Sequence, residues 1–307
     1  MNIGFMGRTR VLLDTIKKIS LNSNHKIDFI WTSKSEGHYL CDENEFKDLA
    51  KKIGCKFLCE PKINNVKDLS FIKNTEIVIS INFINIIPKK FIDLFEYGVL
   101  NAHGGDLPRY KGNACQNWAI INNEKEIVLT IHKMTDILDS GPFYLKKSFK
   151  LDDDKYITDV YKWFHDSIPG FFLQVIKKIE KGYKPEEQKN IKPLRTFPRK
   201  IEDSRIDWKI GVDSICRIIR ASSHPFSGAF SFLNNKEKVV IFRAKPITLK
   251  YDFFAIDGQI IEWDKNNLSF VVASKNRALV VTEFSSDGLS QAESFHSITS
   301  SQRNRMY

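Results

Sequence analysis

The residues best suited to chemistry begin in one run, Asn101-Ala102-His103-Gly104-Gly105-Asp106-Leu107-Pro108-Arg109-Tyr110-Lys111-Gly112. Ile131-His132-Lys133-Met134 follows, and then Asp139-Ser140-Gly141-Pro142. Asn101, His103 and Asp139 offer an amide, an imidazole and a carboxylate, a set able to move a carbonyl group onto an amine. As the amine adds, the carbonyl oxygen gains negative charge and needs a donor already in place. Losing such a donor costs about 10²–10³ in rate, and Asn101 can supply it. The amine must also lose a proton, and a well-placed base contributes roughly 10²–10⁴. An imidazole has an unperturbed pKa of about 6.5, so His103 can be that base. Asp139 can hold the imidazole in one tautomer and raise its basicity, although Asp-Ser-Gly-Pro is also good turn chemistry. His132, inside a strand-like run, reads as structural.

These side chains need elements to position them, and the first hundred residues alternate strand and helix signals. Strands are expected at 2–6, 26–32, 56–59, 76–83 and from 99, the last feeding directly into Asn101-Ala102-His103. Residues 11–20 place Leu12, Ile16 and Ile19 on one helical face. Residues 45–53 read as a helix stopped by Gly54, and Pro88 opens another that ends near Gly98. The continuous β-branched run at 76–83 suits a buried parallel strand. Strands separated by helices imply a Rossmann-like, mostly parallel sheet with helices on both faces and right-handed crossovers. In such folds a ligand sits beyond the carboxyl ends of the strands. Asn101 and His103 stand at such an end, and a two-residue spacing in a strand sends both side chains to one side.

After about residue 145 the pattern changes. Residues 159–181 form one long amphipathic helix. Residues 184–200 carry three prolines among charges and read as an extended linker. A helix at 212–221 then leads into short strands separated by turns such as Asn234-Asn235 and Asp257-Gly258, a smaller β-rich, OB-like domain. The expected division is a catalytic domain at 1–189, a linker at 190–204 and a second domain at 205–307. Trp208 reads as a packing residue at the junction, and the last dozen residues as a loose tail.

Composition narrows the function classes. The chain has 307 residues, 42% hydrophobic and 27% charged, typical of a soluble globular protein. Its five cysteines lack the spacing of a zinc or thiol-redox motif, and Cys55 and Cys59 flank what reads as a buried strand. No basic leader and no apolar run long enough to span a bilayer stands out, so a cytoplasmic protein away from membranes is expected. Gly4-Phe5-Met6-Gly7 is not a dinucleotide fingerprint, so no NAD is expected, and no metal either. The net charge of +10 is spread along the chain rather than blocked, which disfavours a nucleic-acid binder while suiting an anionic small ligand. A homodimer is left open.

Taken in order, Asn-x-His, Leu-Pro-x-Tyr-Lys-Gly, His-x-Met and Asp-x-Gly resemble the folate-dependent formyltransferases. That family includes methionyl-tRNA formyltransferases and the N-formyltransferases of nucleotide-linked amino sugars. The resemblance continues through Arg205-Ile206-Asp207-Trp208 and His224-Pro225-Phe226-Ser227-Gly228-Ala229. It implies catalytic roles for Asn101, His103 and Asp139 and N10-formyltetrahydrofolate as co-substrate. It also implies a folate pocket lined by Phe83, Ile84, Ile86, Ile87 and Pro88 and by Met134, Ile137 and Leu138. Gly105 stands where the family usually has Ser, and Lys111 where it usually has Arg. Arg109, Tyr110, Lys111, Gly112 and Asn113 are near enough to the motif to contact a pyrophosphate or sugar. The tRNA-directed enzymes carry a basic insertion after the second strand. Here residues 33–43 hold more acid than base, a poor surface for phosphates. A nucleotide-linked amino sugar is therefore the expected acceptor, with tRNA as the alternative and an inactive binding module as the alternative of another class.

Overall fold

The computed structural model describes residues 1–22, 24–35 and 40–307. Residues 36–39, in the middle of the acidic 33–43 stretch, lie outside the described residues. Its contacts divide the chain into two compact units. The first comprises 1–113, 127–149 and 161–196; the second comprises 114–126, 150–160 and 197–307.

The first unit is built on a seven-stranded sheet. Its strands are β1 (Asn2–Gly7), β2 (Lys26–Thr32), β3 (Lys56–Cys59), β4 (Ile77–Ile81), β5 (Val99–His103), β7 (Glu126–Lys133) and β8 (Phe143–Lys150), and a two-stranded sheet joins β6 (Tyr110–Gly112) to β9 (Leu194–Thr196). The order in the large sheet is β3-β2-β1-β4-β5-β7-β8. β1 through β5 pair in parallel, whereas β7 runs antiparallel to β5. This is the mostly parallel architecture expected from the strand–helix alternation. Helices α1 (Arg10–Asn22), α2 (Glu43–Ile53), α3 (Lys89–Ile92) and α5 (Ile157–Glu180) connect and cover it. Asp42 caps α2 by accepting from the Asn44 and Glu45 N–H groups, and Gly54 ends it at φ 79°.

Several local expectations change. The helix after Pro88 is only four residues long, continued by turns to Gly98. β3 is the edge strand of the sheet, so Lys56–Cys59 is not a buried strand, and Cys59 is exposed. Burial still pushes the Cys55 thiol up to about 11. The proline-rich stretch read as a linker contains β9, which pairs in parallel with β6, aligning Tyr110 with Leu194 and Gly112 with Thr196.

In the second unit a five-stranded antiparallel sheet runs β10 (Ala229–Leu233), β11 (Glu237–Ile247), β14 (Arg277–Ser286), β13 (Ser269–Ser274), β12 (Ile260–Asp264). α6 (Val212–Ser222) packs on α4 (Cys115–Ile121), joined by Asn117 donating to the Ala221 carbonyl and Arg217 to that of Ile121. Hence the 114–126 stretch, expected with the catalytic domain, lies with the second unit. Trp208 is buried in this unit's core and donates to Ser231 Oγ at 2.8 Å. The chain end is not a loose tail. α7 (Gln291–Ile298) and the residues after it pack on this sheet, with Met306 bridged to Leu233 and 1% exposed. The isolated apolar anchor outweighs the polar composition around it.

Candidate active site

Asn101 and His103 enter the site from the end of β5, two residues apart. The antiparallel partner β7 sets Asn101 opposite His132 and His103 opposite Thr130. His103 is 7% exposed and His132 2%. Their rings meet edge to face with centroids 6.1 Å apart. Asp139 reaches both from the turn that follows β7. Its Oδ2 lies 3.7 Å from His103 Nδ1 and its Oδ1 3.8 Å from His132 Nε2. The three residues expected to act together therefore do meet, and a fourth side chain joins them.

Backbone carbonyls decide which nitrogen of each imidazole carries a proton. His103 Nε2 is 2.9 Å from the Tyr110 carbonyl oxygen. A carbonyl only accepts, so Nε2 donates, and the neutral ring keeps its lone pair on Nδ1 beside Asp139. Tyr110 is thus the group that sets the tautomer, and Asp139 faces the basic nitrogen. His132 Nδ1 likewise donates to the Lys133 carbonyl at 2.8 Å. Its Nε2 lone pair faces the Asn101 amide nitrogen at 3.4 Å, which turns the Asn101 NH₂ group toward it. Burial first, then the neighbouring His103, lowers the His132 pKa to about 4, against the opposing pull of Asp139. His132 is neutral at neutral pH and acts as an acceptor.

Asp139 is held unusually. Its backbone is left-handed, φ 50°, a region Asp tolerates better than most residues. Its Oδ2 accepts the Gly112 N–H at 2.9 Å. Turn former and site residue are thus one and the same. Gly105 explains a departure noted in the sequence. A Cβ there would stand 2.5 Å from His103 Nε2 and 2.7 Å from the Tyr110 oxygen. Glycine leaves room for the bond that orients the His103 ring.

The residues expected to bind ligands fall into two groups. Ile87 is buried in a core cluster with Met6, Trp31 and Phe91, and Phe83 and Met134 pack against it. Pro88 caps α3. Ile84, Ile86, Ile137 and Leu138 are exposed, Ile86 at 93%. Among the acceptor-side candidates, Tyr110 is buried, and its carbonyl and the Gly112 N–H serve the site from the backbone. Arg109 lies over the Tyr110 ring at 4.7 Å. Lys111 donates to Ser140 Oγ at 2.7 Å. Asn113 is exposed, and its N–H bonds the Thr196 carbonyl.

Sequence reasoning passed over two residues. His132 carried a signal, a polar residue in the otherwise buried β7 run, but the register against β5 is what brings it to Asn101. Gln188, in the expected linker, donates to the Asp139 and Gly141 carbonyls and carried none. Among the described residues no His, Cys, Asp and Glu cluster could hold a metal ion, and no helix is long and apolar enough to cross a membrane.

Comparison with known proteins matches residues 60–176 to the formyl transferase family and residues 199–296 to the formyl transferase C-terminal domain. The methionyl-tRNA formyltransferase of Caldanaerobacter subterraneus subsp. tengcongensis is 30% identical over 247 residues, 77% of this chain and 78% of that protein. The crystal structure of WlaRD, a sugar 3N-formyl transferase in the presence of dTDP and 5-N-formyl-THF, matches with a TM-score of 0.71 at 18% identity. It covers 94% of this chain and 99% of that one. HypX from Aquifex aeolicus matches at TM-score 0.60 and 18% identity over 92% of this chain, which spans 45% of that longer protein. At these identities the two structural likenesses concern the fold.

Proposed function

This chain belongs to the formyl transferase family, and from that premise we propose that it moves a formyl group onto the primary amine of a nucleotide-linked amino-deoxy sugar. The carrier would be UDP or dTDP, the formyl donor N10-formyltetrahydrofolate, and the setting cytoplasmic synthesis of surface polysaccharide. The observation that carries the reading is the meeting of Asn101, His103 and Asp139, with the His103 lone pair on the nitrogen beside the carboxylate. In this reading Asn101 directs an N–H at the carbonyl oxygen of the reacting group. His103 Nδ1 takes the amine proton, and Asp139 stabilises the imidazolium that results. The intact trio argues against an inactive binding module.

Two lines support a sugar as the acceptor. WlaRD is matched along nearly its whole length, and residues 33–43 hold more acid than base. A tRNA acceptor is the second reading, favoured by the 30% identity to a methionyl-tRNA formyltransferase. A turnover assay with N10-formyltetrahydrofolate and a panel of UDP- and dTDP-linked amino sugars tests the first. Formylation of at least one sugar is expected, and none of charged initiator tRNA at low salt, where electrostatic binding is strongest. Efficient tRNA formylation with no sugar turned over would reverse the ranking.

A further inference from the structure

We infer that Gln188 is a positioning residue for this reaction: its side-chain amide holds the left-handed turn at Asp139 and so aims the carboxylate at His103. The inference rests on the role proposed above for Asp139. Gln188 Nε2 lies 2.9 Å from the Asp139 carbonyl oxygen and 2.7 Å from that of Gly141. Two oxygens that can only accept converge on one nitrogen, so the amide orientation is unambiguous. One donor thus bridges both carbonyls. The turn has little freedom to relax. Asp139 sits at φ 50°, and a Cβ on Gly141 would come 2.0 Å from the Lys133 oxygen. A side chain in such a conformation persists only while its surroundings over-determine it.

The amide carries a cost of its own. Gln188 Oε1 is buried with no hydrogen-bond partner among the described residues, a state that disfavours the folded chain. The surrounding chain shows what it serves. Glu186 exchanges backbone hydrogen bonds with Phe143, anchoring the chain just before Gln188. Further on, Leu194–Thr196 pairs with Tyr110–Gly112. That segment supplies the carbonyl that orients His103 and the N–H that binds Asp139 Oδ2. The stretch from 186 to 196 therefore braces both halves of the base pair, and Gln188 is its one side-chain contact to the Asp139 backbone that the distances identify.

The test uses the full chain without ligands. The His103 imidazole resonances are followed by NMR through a pH titration in wild type, Gln188→Met and Asp139→Asn. Methionine keeps the length and removes both donors. The midpoint in Gln188→Met is expected to fall, in the same direction as in Asp139→Asn and by less, because a displaced carboxylate favours the imidazolium less. On an accepted amino sugar, kcat should fall about tenfold with KM for both substrates little changed. An unmoved midpoint in Gln188→Met beside a moved one in Asp139→Asn would overturn the inference and leave the proposed function standing. So would a lowered melting temperature with kinetics and midpoint intact. An unmoved midpoint in Asp139→Asn would instead remove the pairing on which the proposed mechanism depends. Should Gln188→Met fail to fold, the uncharged Gln188→Leu repeats the measurement, with the same direction expected.

Discussion

The two sheets bury polar groups in opposite ways. At the β5–β7 end of the seven-stranded sheet the buried polar side chains include two histidines facing a carboxylate. Their protons are committed to backbone carbonyls and their lone pairs are turned inward. In the five-stranded sheet the buried polar residues are serines; most of the hydroxyls pair with neighbouring groups, although that of Ser286 has no partner among the described residues. Ser231 accepts from Trp208 and donates to the Tyr307 carbonyl, Ser274 donates to the Trp208 carbonyl, and Ser294 to that of Ser290. Even the buried Arg220 is satisfied by the Asp152 and Lys155 carbonyls. Burying titratable groups side by side works against folding. Where that occurs, the arrangement points to a task; where hydroxyls pair with backbone, it points to packing.

The contrast can be broken most sharply at His103. His103→Asn should lower turnover by about 10²–10⁴ while the protein keeps its fold and its affinity for folate, measured by titration calorimetry. Near-normal turnover would remove His103 from the chemistry. Gly105→Ser comes next. The new Cβ would meet His103 Nε2 and the Tyr110 carbonyl, so the base should be displaced and kcat should drop about 10–100-fold. A variant as active as wild type would show that the Tyr110 contact does not orient the base. On the other sheet, Ser231→Ala leaves the Trp208 N–H unsatisfied, and denaturant unfolding should show a loss of about 1–3 kcal/mol with kcat unaltered. A kinetic effect there would undo the distinction between the sheets.

The smallest effect concerns acid stability. His132 has a folded pKa of about 4, below its ordinary value of 6.5. The unfolded chain therefore binds the extra proton first as pH falls. The stability linked to His132 is fully present above about pH 6.5 and is lost as pH drops through about 4. Within that window the slope should approach about 1.4 kcal/mol per pH unit. Unfolding free energies of wild type and His132→Gln measured between pH 7 and 4 should diverge in slope by about that amount. Parallel curves would mean that folding leaves the proton affinity of His132 unchanged.

Much of this was legible in the order of residue types. Strand and helix periodicity along the first hundred residues specified the parallel sheet, because burial on both faces demands continuous apolar runs. The spacing of Asn101 and His103 at a strand end placed both side chains on one side, a consequence of the strand period alone. The ordered motifs through Asp139 identified the family. Three matters were decided only by the tertiary structure. The antiparallel turn of β7 made His132 the neighbour of Asn101, since the register between strands so distant in the chain leaves no local pattern. The return of 186–196 converted an apparent linker into a brace, because proline-rich composition describes local stiffness and says nothing of which backbone groups a segment will meet. The tautomer of His103 was chosen by a carbonyl seven residues away, as it depends on the direction of one hydrogen bond rather than on any residue type.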